Sequence, residues 1–161
     1  MTYPAPWSRS LVLETLLFGG ICIAVSVWLL RQSKWATQWL AVVPLAILCA
    51  SALFVIRGYS VTPKAIMIHR LLWTTRLPLD SLEAADFRPN ATKRSIRVFG
   101  IGGLFSFSGW FRNQTLGKYR AFVTDPTHTV VLRFPRQTIV ISPSSPEDFI
   151  RSITSAGGNK L

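Results

Sequence analysis

The sequence predicts a pair of membrane-spanning helices followed by a mainly-β domain that ends in one amphipathic helix. Three observations predict this fold class: two long apolar stretches within residues 10–56, a period of two in polarity from residue 57 onward, and a helical pattern near the C-terminus. The 161 residues carry a net charge of +11, and 49% of them are hydrophobic. This length suffices for one domain of about 100–150 residues and a short additional segment.

The two apolar stretches have the length of membrane spans. Residues 11–30, LVLETLLFGGICIAVSVWLL, and residues 35–56, WATQWLAVVPLAILCASALFVI, each supply the about 20 residues that a helix needs to cross a bilayer core. The connection between them, residues 31–34, is long enough only for a hairpin. Aromatic side chains at both ends of the pair are expected at headgroup level: Trp28, Trp35 and Trp39 at one end, Trp7 and Tyr59 at the other.

Glu14 and Pro44 stand out within these stretches. An acidic residue inside a span is a functional candidate, but Glu14 lies about one turn from the end, where its carboxylate can reach the interface and Arg9. Pro44 predicts a kink, because proline lacks the N–H of the helical hydrogen bond. A cleaved signal peptide over residues 1–30 is the alternative. The length of the run, Glu14 and the second apolar stretch argue against cleavage.

Basic residues are distributed unequally about the two predicted spans. The connection holds Arg31 and Lys34, and the other side holds Arg9, Arg57, Lys64 and Arg70. The positive-inside bias therefore predicts a two-span protein with both termini in the cytoplasm. The two cysteines, Cys22 and Cys49, both fall within predicted spans, so we expect no disulfide framework.

The chain from residue 57 onward consists of short β-prone runs. Alternation is clearest in HTVVLRF, residues 128–134, and TIVIS, residues 138–142, and predicts half-buried antiparallel strands. In the closing SPSSPEDFIRSIT, Ser145 can cap a helix and Pro146 suits its first turn. The helix would place Glu147 and Asp148 at the positive end of its dipole and an apolar stripe of Phe149, Ile150 and Ile153 on one face. Six or seven strands and this helix predict a small bent sheet or barrel that the helix closes at one end.

Several motifs in this part of the chain carry a resemblance to a known family. They are Val61-Thr62, Ile66-Met67-Ile68, Leu77-Pro78-Leu79-Asp80-Ser81-Leu82, GLFSFSGWFRN, LGKYRAFVTDP, VVLRF and IVISPSSPEDFI. Together they resemble the bacterial pleckstrin-homology (PH)-like domains, in particular their membrane-anchored branch. The resemblance implies two orthogonal antiparallel sheets of seven strands capped by the C-terminal helix, in a non-enzymatic binding or scaffolding module. Residues 1–57 would then form the hairpin and residues 58–161 the PH-like domain.

The first hairpin of the predicted domain departs from part of that family. Phosphoinositide-binding PH domains carry a basic cluster around this hairpin, whereas here it offers Lys64 and Arg70. We therefore expect no specific recognition of an inositol phosphate.

Residue types suited to catalysis are sparse and scattered. The chain has two histidines, His69 and His128, and both cysteines fall within predicted spans, so no metal cluster is expected. His69 lies on a β-prone run and is not expected to act as a general base. The run Gly100-Ile101-Gly102-Gly103 lacks the Gly-Lys-Ser/Thr of a phosphate loop, and Phe105 stands at the third position of a dinucleotide fingerprint. The sequence thus predicts no enzyme and no cofactor.

No acidic residue lies between Asp86 and Asp125, where basic and aromatic side chains alternate. Residues 100–117, GIGGLFSFSGWFRNQTLG, add several glycines to this segment. Ten residues are the candidates for contact with a membrane or a partner: Phe105, Phe107, Trp110, Phe111, Arg112, Lys118, Arg120, Lys93, Arg94 and Arg97.

Three interpretations of these residues stay open. The aromatic rings can fill the domain's own core, they can enter the bilayer interface while the bases meet anionic headgroups, or they can contact a protein partner or a second copy. A strand burying one face would alternate Phe105 and Phe107 with Ser106 and Ser108. The membrane interpretation is favoured for Trp110, Phe111 and Arg112, because a tethered domain is already held near the headgroups. Single-stranded nucleic acid also suits such a composition but not a membrane-tethered chain.

The sequence therefore predicts a non-enzymatic, membrane-anchored PH-like module on the cytoplasmic face of a bacterial inner membrane. It would engage the bilayer, anionic lipid headgroups or a membrane protein partner. The alternative is a subunit or regulator of a larger membrane protein complex, docking through the hairpin and the 100–117 loop.

Overall fold

A computed structural model describes residues 1–32 and 35–156 as a β-domain and a group of helices that meets the domain at one end. The helices are α1 (Arg9–Leu30), α2 (Trp35–Leu40) and α3 (Val42–Ala52). Ser8 caps α1, because its Oγ accepts a hydrogen bond from the backbone N–H of Leu11 at 3.2 Å. Helices α1 and α3 pack against each other, and Ser26 Oγ donates a hydrogen bond to the Ala41 carbonyl at 2.9 Å.

Helix α1 is, within residues 1–32 and 35–156, the one helix long and apolar enough to cross a membrane. The predicted second span, residues 35–56, is not confirmed, because its helical hydrogen bonding is interrupted at Ala41. The helix is interrupted after Leu40, four residues before Pro44. The Pro44 ring displaces the Leu40 carbonyl, and proline has no N–H that could donate a hydrogen bond to it. The helix then stops at Ala52, because Ile56 already begins a strand and is 1% exposed. Ser33 and Lys34 of the predicted connection lie outside the described residues.

The first sheet has four antiparallel strands in the order β1-β2-β3-β4. They are β1 (Thr2–Pro4), β2 (Ile56–Val61), β3 (Ala65–Arg70) and β4 (Thr74–Pro78). Strand β1 was not predicted, since residues 1–8 were assigned to the hairpin unit. It pairs with β2, and the amino group of Met1 donates to the Val61 carbonyl at 3.1 Å. The segments before and after the helices therefore belong to one sheet.

The second sheet has six strands in the order β5-β9-β10-β8-β7-β6. They are β5 (Ala84–Phe87), β6 (Ile96–Leu104), β7 (Ser106–Asn113), β8 (Gly117–Val123), β9 (Val130–Phe134) and β10 (Gln137–Ile141). All neighbours are antiparallel except β8 and β10, which run parallel. Strands β9 and β10 confirm that the two runs with the clearest alternation form strands. They are not half-buried as predicted, because residues 130–132 and 139–141 are buried on both faces of the sheet.

The main core lies between the two sheets and is closed by helix α4 (Pro146–Ala156). As predicted from the apolar stripe, Phe149 and Ile153 are fully buried, and the Phe149 ring lies edge-on to Tyr3 at 5.2 Å. Tyr59, predicted to lie at the membrane interface, is instead buried in this core. Its hydroxyl donates to the Phe122 carbonyl at 2.7 Å, and burial raises the pKa of Tyr59 to about 12.

Candidate functional site

The turn between β6 and β7 lies against the helices at what we call the base of the domain. The backbone N–H of Phe105 donates to Thr15 Oγ1 of α1 at 3.1 Å. On the other side, Ser106 Oγ donates to the carbonyl of Phe54, just after α3, at 3.0 Å. The Phe105 ring lies edge-on to Trp7 at 6.3 Å, so the turn is held by residues on both sides of the helical segment.

Glycine at position 103 makes this contact with α1 possible. Gly103 has a φ of +90°, and a Cβ placed on it would collide with the Glu14 carboxylate. Glu14 therefore lies over the β6–β7 turn. No ion pair with Arg9 forms in the described part of the chain, so the predicted partner of Glu14 is not found there.

A second close approach explains two more glycines of residues 100–117. Gly100 and Gly109 face each other across β6 and β7 with φ values of +122° and +145°. A Cβ on Gly109 would collide with the Phe99 carbonyl, and one on Gly100 with the Ser108 carbonyl. Side chains here would push the strands apart, so the glycines serve the tight β6–β7 pairing rather than a flexible loop.

Exposed apolar side chains surround the base, and we call Trp7, Leu71, Leu72 and Trp73 the collar. Their exposed fractions are 40%, 43%, 71% and 39%. Trp73 lies edge-on to Phe54 at 5.4 Å, which brings the β3–β4 turn to the end of α3. Residues 71–73 were not among the candidate site residues predicted from the sequence. Three consecutive apolar residues at a turn were the available signal, because such exposure is rare without a function.

The ten candidate residues do not form one surface. Directly opposed residues of β7 and β8 share a face, and the register pairs Ser108 with Phe122, Trp110 with Arg120 and Arg112 with Lys118. This inner face looks toward the first sheet, since Phe122 belongs to the main core. Phe107, Phe111 and Arg97 lie on the outer face, beside the loop that carries Lys93 and Arg94.

Phe111 corrects the expectation of an exposed ring. It is 7% exposed and stacks on Tyr119 with ring centroids 6.1 Å apart, in a second buried cluster on the outer face. The nearby strand also departs from the expected alternation: Ser106 and Ser108 are 0% and 4% exposed, whereas Phe105 and Phe107 are half-buried. For Phe111, the interpretation that the aromatic ring fills the domain's own core is therefore the one that holds.

Arg112 and Lys118 lie far from the base. They stand beside the β7–β8 turn, whereas the opposite end of β8 leads to Thr124, whose carbonyl accepts from the Ser8 N–H at 3.2 Å. Five residues of strand separate Lys118 from Val123, which is about 16 Å. The Lys118 ammonium lies 4.9 Å from the centre of the Trp110 ring. These two bases are therefore not neighbours of the helices.

Comparison with known proteins identifies the family to which this domain belongs. A family model described as "Bacterial PH domain" matches residues 57–156. The chain belongs to the bacterial PH domain family. No curated protein and no solved structure matches the chain. The match agrees with two sheets closed by a C-terminal helix, and PH domains are typically binding modules without catalytic activity. No group of metal-ligating side chains occurs within residues 1–32 and 35–156.

The PH domain carries a groove on its inner face, beside the base. The groove has a volume of about 390 Å³ and opens between the two sheets. Its aromatic walls include Phe54, Phe99 and Trp110, and its basic groups are Arg70 and Arg120. Phe99 is 76% exposed at this site, whereas Arg70 is 8% exposed. Arg70, predicted from the sequence only as one of two bases in the first hairpin, thus meets a candidate residue from β8.

Both charged side chains that line the groove are basic. The guanidinium carbons of Arg70 and Arg120 lie 4.8 Å and 4.9 Å from the centre of the Phe122 ring. Burial, and then the charge of Arg120, lower the pKa of Arg70 to about 10, so Arg70 remains charged at neutral pH. Neither arginine forms an ion pair with an acid in the described part of the chain.

Proposed function

We propose that this protein is a non-enzymatic, membrane-anchored binding module, with α1 and the α2–α3 segment embedded in the inner membrane. The base of its PH domain lies on the cytoplasmic face of the membrane, and there the domain engages the anionic lipid surface. The observation that carries the proposal is the collar, because exposed tryptophan and leucine side chains surround the point at which the apolar helices leave the domain.

The reach of the helices supports this placement. The β6–β7 turn contacts α1 at Glu14 and Thr15, so residues 16–30 extend beyond the domain. They reach about 22 Å at 1.5 Å per residue, less than the roughly 30 Å of a bilayer core. Helices of this length suit a bilayer best when the base is pressed against it and Arg31 extends to the opposite headgroups.

The sheet pairing of β1 supports retention of α1 as an anchor. A cleaved α1 would remove β1 from the first sheet, and with it the Tyr3 ring that lies on Phe149. The Tyr3 hydroxyl also donates to the carbonyl of Asp148 in α4 at 3.1 Å. The domain thus uses residues on both sides of α1, which also favours one membrane side for both.

Membrane anchoring and orientation are testable in cells. The full chain should remain with the membrane fraction after alkaline carbonate extraction. A reporter enzyme that works only in the periplasm should be inactive when fused after Leu161 and active when inserted between Gln32 and Ser33. Release by carbonate would contradict the anchor, and the reverse reporter pattern would contradict the orientation.

A second candidate function is that of a subunit or regulator in a larger membrane protein complex. Strand β6 favours it, because β6 is an edge of the six-stranded sheet and residues 96–100 are all exposed. Ile96 and Val98 are 75% and 57% exposed on this edge, which is suited to pairing with a strand of another chain. Val98→Lys should then remove a stoichiometric partner from a mild-detergent purification while leaving the protein in the membrane. An unchanged partner set would contradict this function.

A further inference from the structure

We infer that the groove between Arg70 and Arg120 is a binding site for the phosphate group of an anionic phospholipid. The inference rests on the proposed function, because that function places the groove beside the headgroups. It goes further by assigning one defined site and a ligand chemistry.

Arg70 is built into the site rather than free on the surface. It is 8% exposed, and its guanidinium lies against three aromatic rings, those of Phe54, Trp73 and Phe122, with centroids 5.6, 5.2 and 4.8 Å away. Aromatic rings stabilise the charge of the guanidinium but offer its N–H groups no conventional hydrogen-bond acceptor. The Nε atom of Arg70 is buried and has no hydrogen-bond partner within residues 1–32 and 35–156. A buried donor without an acceptor is destabilising, and a bound anion would relieve this penalty.

Arg120 adds a second positive charge to the groove, from strand β8 of the other sheet. Two guanidinium groups on one ring repel each other, and their proximity contributes to the lowered pKa of Arg70. An oxygen anion between them would offset this repulsion. Arginine is the side chain best suited to hold a phosphate, because its planar N–H groups match two phosphate oxygens at once.

The walls of the groove suit the rest of a lipid headgroup. Phe54, Phe99 and Trp110 form an amphipathic surface next to the charges, and the volume of about 390 Å³ lies within the range of roughly 300–1,000 Å³ for small-ligand pockets. Phe54 also belongs to the base, where Ser106 binds its carbonyl. The groove is therefore continuous with the surface at which lipid headgroups would lie, which favours a lipid over a soluble phosphate.

This site is not the turn of the first hairpin, around which phosphoinositide-binding PH domains carry their basic cluster. That turn lies at residues 62–64 between β2 and β3, whereas Arg70 is at the other end of β3. The partner charge comes from β8, in the other sheet. The site is thus defined by the packing of the two sheets against each other.

The test uses the full chain purified in a nonionic detergent. Native mass spectrometry would measure the apparent affinities for dioleoyl-phosphatidylglycerol and dioleoyl-phosphatidylcholine, which share acyl chains and differ in net charge. The wild-type protein should prefer the anionic lipid by about tenfold or more. Arg120→Gln and Arg70→Gln should each abolish most of this preference.

A matched control removes two charges elsewhere. Lys93→Gln/Arg94→Gln changes two exposed bases that line a separate depression, and it should leave the preference unchanged. Equal loss in this control would mean a general charge effect and would overturn the inference. So would a wild-type protein without preference, or an Arg120→Gln variant that keeps it. Because Arg120 is half-buried, that variant remains informative even if Arg70→Gln does not fold.

A final arm distinguishes the source of the phosphate. Inorganic phosphate and glycerol phosphate should not displace the anionic lipid at matched concentration, and displacement would assign the groove to a soluble ligand instead. The measurement is made in micelles, so its failure would not touch the anchoring experiment. A protein that stays in carbonate-washed membranes but shows no lipid preference would contradict only the groove.

Discussion

The inner face of the six-stranded sheet is closed at one end and open at the other. At the closed end, Leu132 of β9, Ile139 of β10 and Phe149 of α4 are all fully buried in the main core. At the open end, the same face carries Trp110 and Arg120 and is left as a groove. One sheet thus supplies stability where a helix covers it. Where no element covers it, the sheet offers charge and aromatic surface for a ligand.

A substitution at the closed end should have the largest effect on stability. Phe149→Ala removes a fully buried ring that contacts Tyr3 and Tyr59, and we expect a loss of about 3–5 kcal/mol. For a domain of this size the melting temperature would fall by more than about 10 °C. Thermal unfolding of the full chain in detergent, monitored by intrinsic fluorescence, would measure this change in melting temperature. Ile150→Ala, which changes a half-buried neighbour, should cost clearly less. Equal effects would show that α4 does not close the core as described.

The β6–β7 pair, which forms the far wall of the open end, should be next in sensitivity. Gly109→Ala places a methyl group against the Phe99 carbonyl at a φ of +145°, and we expect a cost of about 3 kcal/mol. Gly117→Ala is the matched control, because its φ of +65° is also positive but nothing lies within 4 Å of an added Cβ. It should cost about 1 kcal/mol. A Gly109 variant no worse than the control would mean that the strands need no close approach.

The open end should tolerate loss of its charge. Arg120→Leu removes the repulsion on Arg70 and keeps an apolar side chain beside Phe122, so the melting temperature should stay equal or rise slightly. The preference for anionic lipid should be lost in the same variant. A large fall in melting temperature would instead identify Arg120 as a support of the fold, and the contrast between the two ends would disappear.

Local signals explain what the sequence predicted correctly. Helix α4 has its proline, its first-turn acids and its apolar stripe within one short stretch, and β9 and β10 are short β-prone runs. Each of these elements could be predicted without knowledge of its neighbours in space. The break before Pro44 is also a local effect of one residue. Strand β1 has no such signal, because three residues that include a proline show no period.

The site depended on information that is not local. Register shifts between Arg97 and Phe99 and between Ile101 and Leu104 decide which face each aromatic side chain of the β6–β7 pair takes. Arg70 and Arg120 are distant in sequence and meet because the two sheets pack together. The tethering of the domain favoured a membrane contact for Phe111, yet its position opposite Tyr119 places it in the outer cluster. Composition located the region of interest but not its faces.

The central claim is that the base of the PH domain lies on the bilayer while the opposite end faces water. A chain with Cys22→Ser and Cys49→Ser would receive a single new cysteine by Leu72→Cys in the collar or by Thr115→Cys in the exposed β7–β8 turn. Each variant would be labelled with an environment-sensitive fluorophore and placed in nanodiscs that contain anionic lipid. The account predicts blue-shifted emission and protection from aqueous iodide at position 72, with water-like emission and full quenching at position 115. Equal quenching at the two positions would contradict it.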